Sequence, residues 1–403
     1  MTTRTPRDSK PGGKEQELRI TIVLGPFFPA PPAPCGAVEY IWHGLAEEFA
    51  RRGHEVCMIG RSYPGQARDE EVNGVRFVRR SSFSKTNSIK RDLLKDLLYS
   101  TYMLGTLPRA DIVVTNVFFM PAMIPILRRG AGKIVVNVAR MPKGQIWMYG
   151  SAARLAVVSQ AVEDAVREER PASMSRVRVI PNPIDATTFV PPASPRVRDG
   201  GGTILYTGRI HPEKGLDLLV KAWRELVDRH PRIRLSLTGP WKTTSGGGGE
   251  DYLRRLRNDA GDRSIEIRDP IFDRAALAAA LQEANYFCYP SVADRGETFG
   301  VAPLEAMGTA LSPVVSDLAC FRDFLEPGVN GLLFDHRSPD AVSLLAAALE
   351  ELISDPDRAE RMGQAASATA QGFGYPAVAE LYLNDFEVLL GRRTETAPSA
   401  VAG

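Results

Sequence analysis

Ile204-Leu205-Tyr206-Thr207-Gly208-Arg209-Ile210-His211-Pro212-Glu213-Lys214-Gly215 reads as a short apolar strand, a loop carrying two cations and the start of a helix. A strand that is apolar on both faces belongs inside a covered sheet, and parallel neighbours then require a crossover after each strand. The same alternation of short β-rich runs and helical patterns extends outward from this stretch. It recurs before it at 20–24, 55–59, 112–114, 134–138 and 155–158, and after it at 234–238, 265–268, 286–289 and 312–315. Two α/β domains are predicted, each a doubly wound parallel sheet with helices on both faces. Between them Pro181, Pro183, Pro191, Pro192 and Pro195, followed by 200–202, read as a linker that lets the domains close on a ligand in the cleft.

In open parallel sheets ligands lie beyond the carboxyl ends of the strands. Arg209 and Lys214 fall there, a planar fork and a mobile point charge suited to a diphosphate. So does Glu297-Thr298-Phe299-Gly300-Val301-Ala302-Pro303-Leu304-Glu305. With a strand ending near Pro290 and a helix starting around Val301, Glu297 lies in the loop and Glu305 about one turn into the helix. The helix start offers free N–H groups and positive potential. Two carboxylates beside it suit a polyhydroxylated ligand. In the first half, Gly36 precedes a helix and is positioned to bring backbone amides to a phosphate.

Together these stretches resemble the retaining glycosyltransferases of family 4, which have the GT-B fold of two Rossmann-like domains facing a cleft. Residues 208–219 resemble the family's diphosphate segment and 297–305 its two-glutamate signature. Gly36-Ala37-Val38-Glu39 and Val179-Ile180-Pro181-Asn182-Pro183-Ile184-Asp185 are weaker matches, the latter to the interdomain hinge. The resemblance implies a tail at 1–17, an acceptor-binding domain at 18–182, a linker at 183–202 and a nucleotide-sugar domain at 203–371. A helix at 372–392 crosses back to the first domain before a second tail at 393–403; both tails are expected to be disordered. It further implies transfer of a sugar from a nucleotide-diphosphate donor to an acceptor hydroxyl with retention of configuration. Glu305 would hold ribose hydroxyls and Glu297 the sugar. Gly208 and the amides of Phe299, Gly300 and Val301 would line the donor site, while Arg209 and Lys214 stabilise the leaving diphosphate. The donor is expected to be a UDP-sugar ahead of a GDP-sugar.

Many relatives carry a histidine at the end of a first-domain strand. Here Asp111-Ile112-Val113-Val114-Thr115-Asn116-Val117-Phe118 has none, and Asn116 is a hydrogen-bonding candidate that cannot act as a base. Arg140, Lys143, Trp147 and Tyr149 mix cations with aromatics after another strand and are the expected acceptor site, for an anionic small molecule or a lipid-linked acceptor. Two other classes share these features: a nucleotide-sugar-binding protein without turnover, and a GT-B phosphorylase or epimerase.

The 403 residues are 44% hydrophobic, long enough for two or three full-sized cores. The net charge of +2 hides 27 Lys/Arg against 17 Asp/Glu in residues 1–182 and 23 against 31 in 183–403. A basic first half attracts a phosphorylated acceptor or an anionic membrane surface. Without a nucleic-acid module, nucleic acid is not an expected partner. Cys35, Cys57, Cys288 and Cys320 have no metal or redox spacing. With no Cys/His cluster and two cations at the diphosphate, neither a metal nor a cofactor is expected. The first apolar run is of strand length, so a cytoplasmic protein is expected, with peripheral membrane contact left open. Residues 79–95 read as a helix packed on the core with a solvated basic face, and 243–250 as a flexible loop.

Overall fold

The computed structural model describes residues 16–394 apart from 32–35, 87, 200 and 264. Most of both expected tails, Cys35 and part of the linker therefore lie outside the described residues. The first sheet is built from β1 (Arg19–Val23), β2 (Glu55–Arg61), β3 (Asp69–Val72), β4 (Val75–Arg80), β5 (Ile112–Thr115), β6 (Lys133–Val138), β7 (Arg154–Val157) and β8 (Val177–Val179). Between these strands run α1 (Ala37–Arg51), α2 (Ile89–Leu104), α3 (Met120–Leu127) and α4 (Gln160–Glu169). The second sheet uses β9 (Gly202–Thr207), β10 (Ile233–Thr238), β11 (Glu266–Arg268), β12 (Tyr286–Tyr289), β13 (Pro313–Ser316) and β14 (Leu332–Phe334). Its helices are α5 (Leu216–Arg229), α6 (Gly249–Ala260), α7 (Arg274–Glu283), α8 (Val301–Gly308), α9 (Ala341–Ser354) and α10 (Pro356–Gln371), and α11 (Tyr375–Leu389) follows.

The strand order is β3-β4-β2-β1-β5-β6-β7-β8 in the first sheet and β11-β10-β9-β12-β13-β14 in the second. Every pairing is parallel except β3 with β4. β5, β7, β12 and β13 are buried at every position, as strands covered on both faces must be. The order reverses between β1 and β5 in one sheet and between β9 and β12 in the other. At such switch points the loops diverge to opposite faces and leave a crevice. The loops after β9 and β12 carry Arg209, Lys214 and Glu297; those after β1 and β5 carry Gly36 and Asn116.

Three elements differ from the sequence-based expectation. The β3–β4 hairpin turns at Asn73 and Gly74, both at positive φ, a two-residue turn that only such residues adopt readily. Arg79 and Arg80 sit in β4, not in a helix. Arg79 is wholly buried over the Phe77 ring and donates to Glu70 and to the carbonyl oxygens of Ala67 and Pro31. The helix that follows begins only at Ile89, and three of its leucines face outward. The linker, finally, is free over only a few residues. From Phe189 it lies on the second domain, where Arg196 donates to the carbonyl oxygens of Leu281, Ala284, Thr309 and Ala310.

Helix α11 crosses back. Tyr382 and Phe386 bury their rings against Trp42 and Phe49 of α1, with Trp42 and Tyr382 centroids 5.1 Å apart. Arg154 of β7 pairs with Asp385 at 2.7 Å, both nearly inaccessible. Truncating such an aromatic costs about 3–5 kcal/mol, so α11 fastens the two halves. Cys57, Cys288 and Cys320 are free and buried.

Candidate active site

In the second domain the chain leaves β9 through Gly208 and forms a one-turn 3-10 helix, Pro212–Lys214, opened by the His211 ring accepting the Glu213 N–H. This turn drives Lys214 inward. Its ammonium donates to the Glu297 carboxylate, and the Tyr289 hydroxyl and Ser291 Oγ donate to the same Oε1 at 3.1 Å each. The Tyr289 ring lies 5.3 Å from Nζ. Lys214 and Glu297 are both buried, and the pair is closed by three donors on one oxygen, which leaves Oε2 outside that set. Arg209 is different. Its side chain is 44% exposed and donates to Glu213 and to the Gly246 carbonyl oxygen. The two cations therefore hold separate carboxylates instead of sharing one anion. A surface pair such as Arg209–Glu213 is worth roughly 0–1 kcal/mol, so Arg209 can leave Glu213 at little cost.

The glycine run after Thr243 is not the loose loop expected. Gly248 N–H donates to the Ile210 carbonyl oxygen, and a Cβ at Gly247 would fall 2.2 Å from the Trp241 backbone. The run is stitched to the Arg209 loop.

Helix α8 begins at Val301, so Glu297 and Glu305 stand in the loop and one turn inside it. Gly300 caps the helix at φ +100°, and a Cβ there would fall 2.5 Å from the Phe321 ring. Internal packing therefore demands the glycine as much as any ligand does. Phe299 is a core anchor against Phe324 and Phe373, leaving only its backbone for a ligand. Burial pushes the Glu305 carboxyl up, opposed by the guanidinium of Arg274, which donates to it. Arg274 lies 4.6 Å from the Phe189 ring and 5.1 Å from that of Tyr40, and so joins the donor-side carboxylate to the linker and to α1. No local pattern signals this partner, since Arg274 stands 31 residues upstream of Glu305.

The first domain places its candidates less tightly. Gly36 caps α1, but its N–H is held by the Glu39 carboxylate, which burial pushes up and Arg140 lowers. A Cβ at Gly36 would fall 2.6 Å from Glu39 Oε2. Asn116 Oδ1 accepts from Asn137 Nδ2 at 2.7 Å, while its own amide points to the Val23 carbonyl oxygen. Asn137, missed in the sequence, is the member of that pair that lines the cleft. Arg140, Lys143 and Trp147 are exposed. Tyr149 is buried, with its hydroxyl pushed up by that burial, and is not available to stack on a sugar. Its carbonyl oxygen accepts from Arg176.

Both domains meet around a cavity of about 260 Å³ whose walls include Trp42, Asn137, Asn182, Glu297, Thr298 and Val301. Thr298 Oγ1 donates across it to the Ala139 carbonyl oxygen at 3.1 Å. The domains also meet where the Gln160 N–H donates to Asp323, whose carboxyl is pushed up to about 6 by burial. A larger cavity of about 630 Å³ lies against α1 and the start of α11. Its walls carry Glu47, Glu48 and Asp185 together with His43 and Arg51, and Glu48 is paired with Arg51 and Arg52.

Residues 192–369 match the family described as Glycosyl transferases group 1, and residues 36–183 match the Glycosyl transferase 4-like domain. A D-inositol 3-phosphate glycosyltransferase of Kineococcus radiotolerans is 29% identical over 90% of this chain and 93% of its own length. A phosphatidyl-myo-inositol mannosyltransferase of Mycobacterium tuberculosis is 30% identical over 57% of this chain, which spans 59% of that relative. Among solved structures, sucrose-phosphate synthase of Thermosynechococcus elongatus superposes with a TM-score of 0.75 at 20% identity, covering 93% of this chain and 99% of that one. Anabaena HepE in complex with UDP and glucose superposes at 0.70 and 15% identity, covering 92% and 100%. At these identities the shared feature is the fold.

Proposed function

Because this chain is a glycosyltransferase of family 4 with the GT-B fold, we propose that it moves a sugar from a nucleoside-diphosphate donor to an acceptor hydroxyl with retention of configuration. The observation that carries this reading is the meeting of Lys214 with Glu297, both buried, where Glu297 stands beside the N-terminus of α8 on the wall of a cavity shared with the first domain. A buried cation at that point suits a bond whose cleavage delivers charge to a diphosphate.

In this reading Arg209 leaves Glu213 for the diphosphate, Lys214 adds its charge, and the α8 N-terminus contributes backbone N–H groups. Glu305 takes ribose hydroxyls through the oxygen not held by Arg274, and Glu297 meets the sugar. The acceptor oxygen attacks the anomeric carbon from the face that the diphosphate leaves. One C–O bond forms as the other breaks, and the acceptor proton passes to a donor phosphate oxygen. Glu297, already accepting from three donors through Oε1, is not needed as a nucleophile.

The donor is proposed to be a UDP-sugar ahead of a GDP-sugar, in keeping with the UDP and glucose held by the Anabaena neighbour. The acceptor is proposed to be anionic, either a small phosphorylated polyol or a lipid-linked one, as the names of the two relatives suggest. Arg140 and Lys143 are its expected contacts. The test is release of nucleoside diphosphate from UDP-, GDP-, ADP- and dTDP-sugars, with acceptor candidates present, by the native chain, Arg209→Ala and Glu305→Ala. Release from one donor, lost in both variants, supports the reading. Tight binding without release under every acceptor supports a nucleotide-sugar-binding protein, and release that needs inorganic phosphate supports a phosphorylase.

A further inference from the structure

Helix α2 presents three of its leucines to the outside. Leu94, Leu97, Leu98 and Tyr102 form one stripe at helical spacing and are exposed, Leu94 by 59% and Leu98 by 52%. The opposite side, with Tyr99, Met103 and Leu104, is the one that packs inward. Helix α3 lies alongside α2. At one end the buried Asp96 carboxylate accepts the N–H groups of Phe118 and Phe119, and at the other Arg128 donates to the Leu107 carbonyl oxygen. Helix α3 adds Ile126, 70% exposed, and Leu127. The 3-10 turn Ile146–Tyr149 packs on α3 and adds Trp147. Single exposed apolar side chains need no explanation, but a stripe of them spread over adjacent elements does.

The fully exposed charges around this stripe are cations. Lys90 and Arg91 are exposed on the first turn of α2, and Arg129 just beyond α3. Among the described residues of 85–133 each carboxylate is engaged. Asp92 accepts from the Thr86 hydroxyl at 2.7 Å, Asp96 caps α3, and Asp111 pairs with Arg19 at 2.8 Å. Aliphatic side chains ringed by exposed cations match the boundary between acyl chains and anionic headgroups. Protein-binding surfaces, by contrast, are poor in lysine and leucine at their centres.

We propose that the α2–α3 face of the first domain docks on an anionic bilayer surface, with Leu94, Leu98 and Ile126 entering the acyl boundary and Lys90, Arg91 and Arg129 at the headgroups. Docking in this way sets the neighbouring loop with Arg140 and Lys143 near headgroup level. The docking itself does not depend on the sugar-transfer reading.

The test is co-sedimentation of the full chain with vesicles of phosphatidylcholine alone and with about 30% phosphatidylglycerol, for the native chain, Leu94→Glu/Leu98→Glu and Lys90→Glu/Arg91→Glu. The native chain is expected to bind the anionic vesicles at least about tenfold more tightly than neutral ones and to lose much of that in about 0.5 M salt. Both double variants are expected to bind about tenfold more weakly or worse, while their nucleotide binding and melting temperature stay native, because the altered side chains are exposed. Native-like vesicle binding by the leucine variant, or no vesicle binding by the native chain, overturns the proposal. So does a native dimer in light scattering that the leucine variant abolishes, since a second copy then covers this face.

Discussion

The two sides of the cleft are built differently. On the proposed donor side, the loop after β9 and the end of β12 with its following loop lock Lys214, Glu297, Tyr289 and Ser291 into one buried set, with every group held by another. On the acceptor side, Arg140 and Lys143 are exposed, Asn116 is turned toward Asn137, and Tyr149 is sunk in the core. A site that stabilises charge must be preorganised, and buried pairs provide that. In the proposed function, recognition of the acceptor falls to exposed side chains, which are cheap to change.

The sharpest way to break this contrast is Lys214→Met. It leaves the Glu297 carboxylate buried and unpaired, so stability is expected to fall by about 3–5 kcal/mol and turnover by on the order of 10² to 10³. The double variant Lys214→Met/Glu297→Gln is expected to recover the melting temperature but not the rate. Recovery of both would mean that the pair is only structural.

Arg274→Met probes the same side more gently. Burial already pushes the Glu305 carboxyl up, and removing Arg274 pushes it further. With Glu305 in its proposed ribose-binding role, the carboxylate is then lost as pH falls, so nucleotide affinity in the variant is expected to drop by about tenfold between pH 8 and pH 6. The native chain is expected to change little, and Arg274→Lys to resemble it.

Asp323 tests the contact between the domains. Its carboxyl titrates near about 6 against an ordinary 3.8. A raised carboxyl favours the folded state below the ordinary value and loses that contribution as pH rises through the folded one. At pH 7.5 the ionised side chain is thus a cost, and Asp323→Asn is expected to stabilise by about 3 kcal/mol, with the gain vanishing near pH 4 in thermal melts. The smallest effects belong to the acceptor side. Arg140→Ala and Lys143→Ala are expected to raise acceptor KM about three- to tenfold with donor KM unchanged, and Tyr149→Phe to change neither. Unaltered acceptor KM in both cation variants removes the loop from the acceptor site. A chelator is expected to leave turnover unchanged.

Sequence periodicity located ten of the fourteen strands, because buried parallel strands are written as short apolar runs. It missed β3 and β4, whose charged residues mask the alternation, although Asn73-Gly74 between them is a turn signal. It also missed β8 and β14, each only three residues long. Residues 79–95 misled because a helical hydrophobic stripe does not say which way it faces. The loops were legible where backbone geometry dictates residue type, as at Gly300, and where cations follow a strand end. Partners supplied from distant elements were not: Arg274 on Glu305, Asn137 on Asn116 and Gly246 on Arg209 arise only when the fold brings them together.

The most direct measurement is calorimetric binding of UDP, GDP, ADP and dTDP to the native chain, Glu305→Ala and Arg140→Ala/Lys143→Ala. The account predicts that one nucleotide binds the native chain, that Glu305→Ala loses it by at least about tenfold, and that the double variant keeps it. Loss in the Arg140/Lys143 variant with retention in Glu305→Ala would contradict the division of labour between the domains.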